Sequence, residues 1–150
     1  MAIRKTVLLA VVLAVVPAAV ALAAAWRTGT YTAGSNSGLK TGIKVKIRAH
    51  SFAVQRMAFT EGCSNPQAGA MQDQFAFIGG SQAHLSGAIN RRGHFSGTFQ
   101  GQGATVKVSG TVKGSKATVK GSEKSTFTDQ NGTDWTCDGA RTYHARRTSR

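Results

Sequence analysis

The chain of 150 residues contains 19 Lys or Arg but only six Asp or Glu, which gives a formal net charge of +13. Hydrophobic residues make up 41% of the sequence, which is enough to build one core and excludes wholesale disorder. Six acidic residues leave few candidates for carboxylate catalysis. The excess of cations favours either an anionic partner or a role in solubility.

The N-terminal segment has the parts of a secretory signal peptide. Arg4 and Lys5 supply a basic region, an apolar run follows from Val7 to Val20, and small residues after it offer a cleavage site. A retained membrane anchor is the alternative, but Pro17 interrupts the run, which is short for a spanning helix. We expect residues 1–25 to be a signal peptide, and the protein to be secreted or associated with the cell envelope without a membrane span after cleavage.

The two cysteines, Cys63 and Cys137, are the only ones in the chain. An oxidising compartment allows them a single intramolecular pairing. Neither lies in a Cys-x-x-Cys motif or in a Cys/His spacing that suits zinc, and no activating partner for a catalytic thiol is visible. The sequence therefore predicts a disulfide between them.

From Trp26 onward the sequence shows alternation rather than a helical period, which predicts an all-β domain. Residues 43–48 alternate Ile or Val with Lys or Arg, as in a strand with one buried and one cationic face. A second strand is predicted at 54–60, with Met57 and Phe59 inward. Phe75 and Phe77 mark a third strand.

The stretch 85–122 predicts a four-stranded antiparallel meander, with loops at 91–93, 101–102 and 114–115 where Gly suits the turn. These loops set large residues against small ones on the inner face, where glycines make room for bulky neighbours. The predicted pairs are Ile89 with Phe95, Gly87 with Gly97, Leu85 with Phe99, Phe99 with Ala104, Gly97 with Val106, Phe95 with Val108, Val112 with Ala117, Gly110 with Val119 and Val108 with Gly121.

Four features carry a resemblance to a known group. They are the opening Gly29-Thr30-Tyr31-Thr32, the run Phe95-Ser96-Gly97, the alternating stretch from Gly103 to Val112, and Cys137-Asp138-Gly139 before a terminal strand. With these features the chain resembles small secreted β-sandwich proteins common in high-GC Gram-positive bacteria, a group without an established activity. The resemblance implies a sandwich with a disulfide, and it carries over no functional residue.

The expected fold is all-β, an antiparallel, jelly-roll-like β-sandwich with a meander in its C-terminal half. A closed up-and-down β-barrel is the alternative. One domain is expected over residues 26–145, followed by a frayed basic tail at 146–150.

Catalytic carboxylates are the first functional class to weigh, because a glycosidase needs two of them a few ångströms apart. The candidates are Glu61, Asp73, Glu123, Asp129, Asp134 and Asp138. Glu61 would face inward with a raised pKa if its strand stayed regular as far as Cys63. We instead expect that strand to end near Thr60 and to leave Glu61 in a turn.

Other catalytic and cofactor motifs are missing from the sequence. The four histidines, His50, His84, His94 and His144, have no metal-ligand spacing. There is no Gly-x-Ser-x-Gly elbow and no phosphate-binding loop. We therefore expect no metal, no cofactor and no enzymatic activity.

The remaining functional signal is the basic surface. Solubility and edge protection are one interpretation of this charge. The functional hypothesis is a polyanion-binding surface whose partner is an anionic cell-envelope polymer, a glycan, an acidic lipid or extracellular nucleic acid. Without an RNP-like aromatic set or a helix-turn-helix pattern, sequence-specific nucleic-acid binding is not expected. The predicted binding residues are Lys44, Lys46, Arg48, Arg91, Arg92, Lys107 and Lys120.

Two functions follow from these observations. The first is a secreted, noncatalytic binding module, and the alternative is a small secreted hydrolase with an unrecognised site. Exposed Trp26, Trp135 or Tyr143 in a groove would favour glycan binding by the first, whereas two carboxylates converging in a cleft would favour the second.

Overall fold

The computed structural model describes residues 26–34, 42–79, 85–101 and 103–150. The predicted signal peptide lies outside these residues. The part of the chain that is described contains nine strands and no helix, which confirms the all-β class. They are β1 (Gly29–Gly34), β2 (Gly42–Ile47), β3 (Ser51–Asn65), β4 (Gly69–Gly79), β5 (Leu85–Ala88), β6 (His94–Gly101), β7 (Ala104–Lys113), β8 (Lys116–Thr128) and β9 (Asp134–Ser149).

No helix in these ranges is long and apolar enough to cross a membrane.

The strands form one antiparallel sheet that curls until it is nearly closed. Its order is β4-β3-β2-β1-β9-β8-β7-β6, and β5 pairs with β3 outside this path. The chain passes from β5 into β6, but only Ile89 and Phe95 bridge the two strands, so a seam remains between them. This barrel-like form with one seam is consistent with both expected architectures, the sandwich and the barrel.

The inner face of the rolled sheet holds the main core. Along β2, Ile43, Val45 and Ile47 are buried while Lys44 and Lys46 are exposed, as the alternation predicted. The largest fully buried side chains of this core are Tyr31, Phe52, Ile47, Met57 and Leu85. Burial of each contributes roughly 1.5–3 kcal/mol. Met57 lies inward as expected, while the side chains of Phe59, Phe75 and Phe77 lie outside the described part.

Two long strands, β3 and β9, organise the sheet. At one end they pair directly, with Cys63 opposite Cys137, and the two cysteines form the predicted disulfide. At the other end they diverge, and β1 and β2 fill the space between them. Beyond the main core, the disulfide packs with Trp135 and Met71 in a second, smaller cluster. We call this region the disulfide end. It is formed by the parts of β3, β4, β8 and β9 that lie nearest to the disulfide.

The predicted β7–β8 hairpin is confirmed throughout. Val112 pairs with Ala117, and Val108 lies opposite Gly121 on the buried face. Its two-residue turn contains Gly114, whose φ of 54° lies in the left-handed region that favours glycine.

The predicted β6–β7 register is wrong by two residues. Gly101 pairs with Ala104, so Phe95 lies opposite Gly110 rather than Val108, and Gly97 opposite Val108. Consequently Phe99, predicted to face Ala104, faces Val106, which was predicted to lie across from Gly97. The φ of 74° at Gly103 places this glycine inside the turn. A shift of two residues keeps every side chain on its face, so alternation could not distinguish the two registers.

The predicted β5–β6 ladder is also wrong, except at Ile89 and Phe95. Gly87 does not pair with Gly97, nor Leu85 with Phe99, because β5 pairs with β3 instead. The ring of Phe52 packs against both glycines, since a Cβ added at Gly87 or Gly97 would lie 2.9 or 3.1 Å from it. The glycines of β5 and β6 therefore make room for Phe52, as predicted for their role.

The expected frayed tail at 146–150 is wrong for nearly all of its length, because β9 continues to Ser149. Ser149 pairs with Thr30 of β1. The backbone N–H of Arg147 donates to the carbonyl of Ser115 at 2.9 Å, and its Nε donates to the carbonyl of Thr28 at 2.7 Å. These bonds join the C-terminal strand to both of its neighbours.

Gly110 tests the corrected register. A Cβ at this position would meet the ring of Phe95 and lie 2.7 Å from the backbone oxygen of Thr118. We expect Gly110→Ala to lower the free energy of unfolding by about 1–3 kcal/mol, as overpacked cores do. Urea denaturation measures the change. Gly62→Ala is the control, because nothing lies within 4 Å of its Cβ, and an unchanged Gly110→Ala protein would contradict the register.

The disulfide joins residues 74 positions apart. Replacing Cys63 and Cys137 together with Ser frees this long loop in the unfolded chain, so we expect the free energy of unfolding to fall by at most about 4.5 kcal/mol. Denaturation of the double variant measures the loss. Two free thiols in the mass spectrum of the unreduced protein would overturn the assignment.

Candidate functional site

The charges of the protein are separated along the sheet. All six acidic residues belong to the segments that form the disulfide end, Glu61 and Asp73 on β3 and β4 and the other four between 123 and 138. Residues 26–56, 85–122 and 139–150 contain no acidic residue within the described ranges. The charged residues in these ranges are therefore all cations.

A row of cations crosses the outer face of five neighbouring strands and reaches a sixth. Directly opposite positions in the ladder connect Lys113 with Lys116, Lys116 with Arg146, Arg146 with Thr32, Thr32 with Lys44, and Lys44 with Arg56. The four Lys and Arg of β7, β8, β9 and β2 are exposed, and Arg56 is half-buried. We call these five cations, with Thr32 among them, the basic belt. At about 4.8 Å per strand the belt spans about 24 Å.

Among the side chains that the structure describes, no carboxylate is close enough to neutralise the belt. Along the strands, Arg56 and Glu61 are five residues apart, and Arg146 and Asp138 are eight residues apart. At about 3.4 Å per residue these separations are about 17 and 27 Å, beyond the screening length of about 8 Å at physiological salt. The belt therefore presents its positive charge to solvent.

The other predicted cations extend this surface. Lys46 lies two residues from Lys44 on the same face of β2, and Arg48 follows that strand. Arg91 and Arg92 occupy the β5–β6 loop, which lies beside β7 because the N–H of Val112 donates to the carbonyl of Gly93 at 2.9 Å. The four cationic side chains, those of Lys46, Arg48, Arg91 and Arg92, are exposed. They border the belt on two sides.

Sequence reasoning missed Arg56 and Arg146 as members of this surface. Arg146 was assigned to a frayed tail. Arg56 follows a register shift in the pairing of β2 with β3, so the alternation of β2 did not predict which face Arg56 occupies. The signal for each residue is its pairing partner, which is Lys44 on the preceding strand for Arg56 and Thr32 and Lys116 for Arg146.

Lys107 and Lys120 lie apart from the belt, in a groove on the outer face of β6–β9. Lys107 lies opposite Thr98 and Ser122, and Lys120 lies opposite Ser109 and Thr142. The groove has a volume of about 570 Å³, and its lining also includes Ser96, Ala140 and the exposed Arg141. We call it the serine–lysine groove.

The aromatic residues that would indicate glycan stacking are buried. Trp26 and Trp135 are each 7% exposed and Tyr143 is 4% exposed. The hydroxyl of Tyr143 donates to the backbone oxygen of Ala58 inside the sheet, and burial raises its pKa to about 12. None of the three is placed to stack on a sugar.

Two carboxylates converge on the inner face near the disulfide. Glu61 and Glu123 lie on either side of Gly139, on the strands that flank β9. The expectation that Glu61 lies in a turn is wrong, because β3 continues to Asn65. Both carboxyls have an Oε2 atom that is buried without a hydrogen-bond partner among the described residues. Burial, and to a smaller extent the charge of the neighbouring Glu61, raises the pKa of Glu123 to about 7.

The surroundings of Glu61 do not form a metal site. Its pKa is raised by burial and by the charge of Asp138. The sulfur atoms of Cys63 and Cys137 lie within 4.8 Å of its carboxylate, but they are bonded to each other and so offer no thiolate to an ion. Asp134 and Asp138 are exposed on the other face. His50, His94 and His144 are exposed, and His84 lies outside the described residues.

No protein-family model, curated protein or solved structure matches the chain.

Glu123 makes stability depend on pH. In the unfolded chain this carboxyl ionises near 4.5, whereas the folded protein holds its proton until about pH 7. The unfolded chain thus releases the proton first, so stability is lost as pH rises from about 4.5 to about 7. We expect Glu123→Gln to melt at a higher temperature than the wild type at pH 8 and at a similar temperature near pH 4. Equal differences at both pH values would contradict this assignment.

Proposed function

We propose that the protein is a noncatalytic module that acts outside the cell and binds anionic polymers of the cell envelope through the basic belt. The belt carries the proposal, because it brings together cations from β2, β3, β7, β8 and β9 in one line. The disulfide supports an oxidising compartment. The resemblance to secreted proteins of high-GC Gram-positive bacteria is consistent with this location and remains a prediction.

A polymer with regularly spaced negative charges is the partner that suits this geometry. Five cations over about 24 Å can contact several successive charges of one chain at once. Each contact releases bound counterions, which favours association at low salt and weakens it as salt rises. Such binding depends on charge spacing and not on a sequence of bases or sugars.

The positions of the cations also favour a binding role for the charge over a role in solubility. Like charges directly opposite each other in a ladder destabilise the sheet, and Lys113 with Lys116, Lys116 with Arg146, and Lys44 with Arg56 are such pairs. Solubility alone needs cations anywhere on the surface and is served equally well by scattered ones. An anionic partner lying across the belt would relieve this repulsion.

The alternative, a small hydrolase, would rest on Glu61 and Glu123. The serine–lysine groove and the smaller groove beside Lys46, Arg48 and Ser86 are lined by other residues. A buried carboxyl oxygen on each glutamate faces protein and not solvent. The binding proposal is therefore better supported than catalysis by this pair.

Lys116→Thr tests the belt. We expect retention on heparin, lipoteichoic acid or DNA to fall, and the slope of log binding constant against log salt to decrease by about 0.7–0.9, as for one lost contact on a nucleic acid. The free energy of unfolding should stay the same or rise by a few tenths of a kcal/mol, because a cross-strand repulsion is removed.

Lys124→Thr is the matched control for this experiment. Lys124 is also an exposed, outward residue of β8, but it lies opposite Asp138 at the disulfide end. It removes the same charge from the same strand and should leave the salt slope unchanged. Equal losses in the two variants would show that net charge alone governs retention, and no retention of the wild type at about 50 mM salt would refute the proposed function.

A further inference from the structure

The serine–lysine groove has a more specific arrangement than the belt. At its centre, four outward positions of β7 and β8 form a checkerboard, in which Lys107 lies opposite Ser122 and Ser109 lies opposite Lys120. The two lysines are thus on one diagonal and the two serines on the other. Diagonal neighbours in an antiparallel pair are about 7–8 Å apart at their backbones.

This spacing suits one tetrahedral anion. Two ammonium groups on a 7–8 Å diagonal can approach the same anion from opposite sides, with N–H···O distances of about 2.8 Å. The hydroxyls of Ser109 and Ser122 are short and lie on the groove floor, where each can donate to a remaining oxygen. The four groups together can satisfy most oxygens of one phosphate.

The wall of the groove adds polar groups for the rest of the ligand. Ser96 and Thr98 on β6 and Thr142 on β9 place further hydroxyls beside the checkerboard. The nearest outward carboxylate, Asp138, lies one row beyond and is opposite Lys124. A ligand that carries a phosphate and neighbouring hydroxyls therefore finds partners for both.

We propose that the serine–lysine groove binds a phosphate group on a hydroxylated carrier, such as a polyol phosphate or a sugar phosphate, through Lys107, Lys120, Ser109 and Ser122. The proposal rests on the proposed function and narrows its partner to phosphate-containing envelope polymers. In this scheme the belt attracts the polymer by charge, and the groove binds one phosphate group of the polymer.

The test is a titration of the full protein, followed by amide chemical shifts. The probes are inorganic phosphate, glycerol 1-phosphate and acetate at equal ionic strength. We expect the two phosphates to shift the amides of Ser109 and Ser122, with acetate having little effect there. Because Lys120 supplies one of the two charge-assisted contacts to the phosphate, Lys120→Gln should weaken phosphate binding on the order of tenfold.

Two matched variants separate specific binding from a general loss of charge. Lys124→Gln removes a charge from the same face of β8 and should bind phosphate like the wild type. Ser122→Ala keeps every charge and should weaken binding several-fold. Dispersed amide spectra of each variant establish that it is folded.

The outcomes distinguish this proposal from the proposed function. The groove is not a phosphate site if phosphate shifts the amides next to every exposed cation alike, or if Lys124→Gln weakens binding as much as Lys120→Gln. In either case, retention of the polymer would still support the belt. If phosphate binds in the groove but no polymer is retained, the groove stands and the belt fails. A poly(glycerol phosphate) diester that competes with glycerol 1-phosphate identifies the polymer as the source of the phosphate, and failure to compete restricts the site to small phosphate esters.

Discussion

The pairing of β3 with β9 at the disulfide end is the constraint on which the rest of the structure depends. Cys63 and Cys137 face each other directly in this ladder, so the covalent bond and the strand pairing fix the same two backbones. From this joint the strands diverge, and β1 and β2 occupy the widening space. The opening is what brings β1 beside the C-terminal part of β9. Without it, Arg146 and Lys44 would not lie in one row.

Space on the inner face determines how far the sheet can close. Large side chains lie against glycines, with the ring of Phe95 over Gly110 and Met57 over Gly121. At the seam, the ring of Phe52 packs against the glycines of β5 and β6. The same matching of large and small residues therefore occurs within the β6–β9 ladders and at the seam.

The sequence predicted what alternation and turn chemistry determine locally. The buried and cationic faces of β2 and the whole β7–β8 register follow from period-2 patterns and a glycine turn. The β6–β7 register could not be chosen, because a two-residue shift preserves both faces. Lys44 was predicted, but the belt as a continuous row could not be, since Thr32 and Arg146 meet only through the pairing of the first and last strands. The inward Glu61 was missed because the strand was expected to end before it.

The separation of charge between the two ends gives the protein a permanent dipole moment. Among the described residues, most cations lie on the barrel wall and turns, and the acidic residues belong to the segments around the disulfide. In the electric field near a negatively charged layer, such a molecule experiences a torque that turns its basic side toward the layer before any contact forms. Orientation during approach reduces the number of unproductive encounters, so the charge layout affects how fast the protein meets a charged surface as well as how tightly it is held.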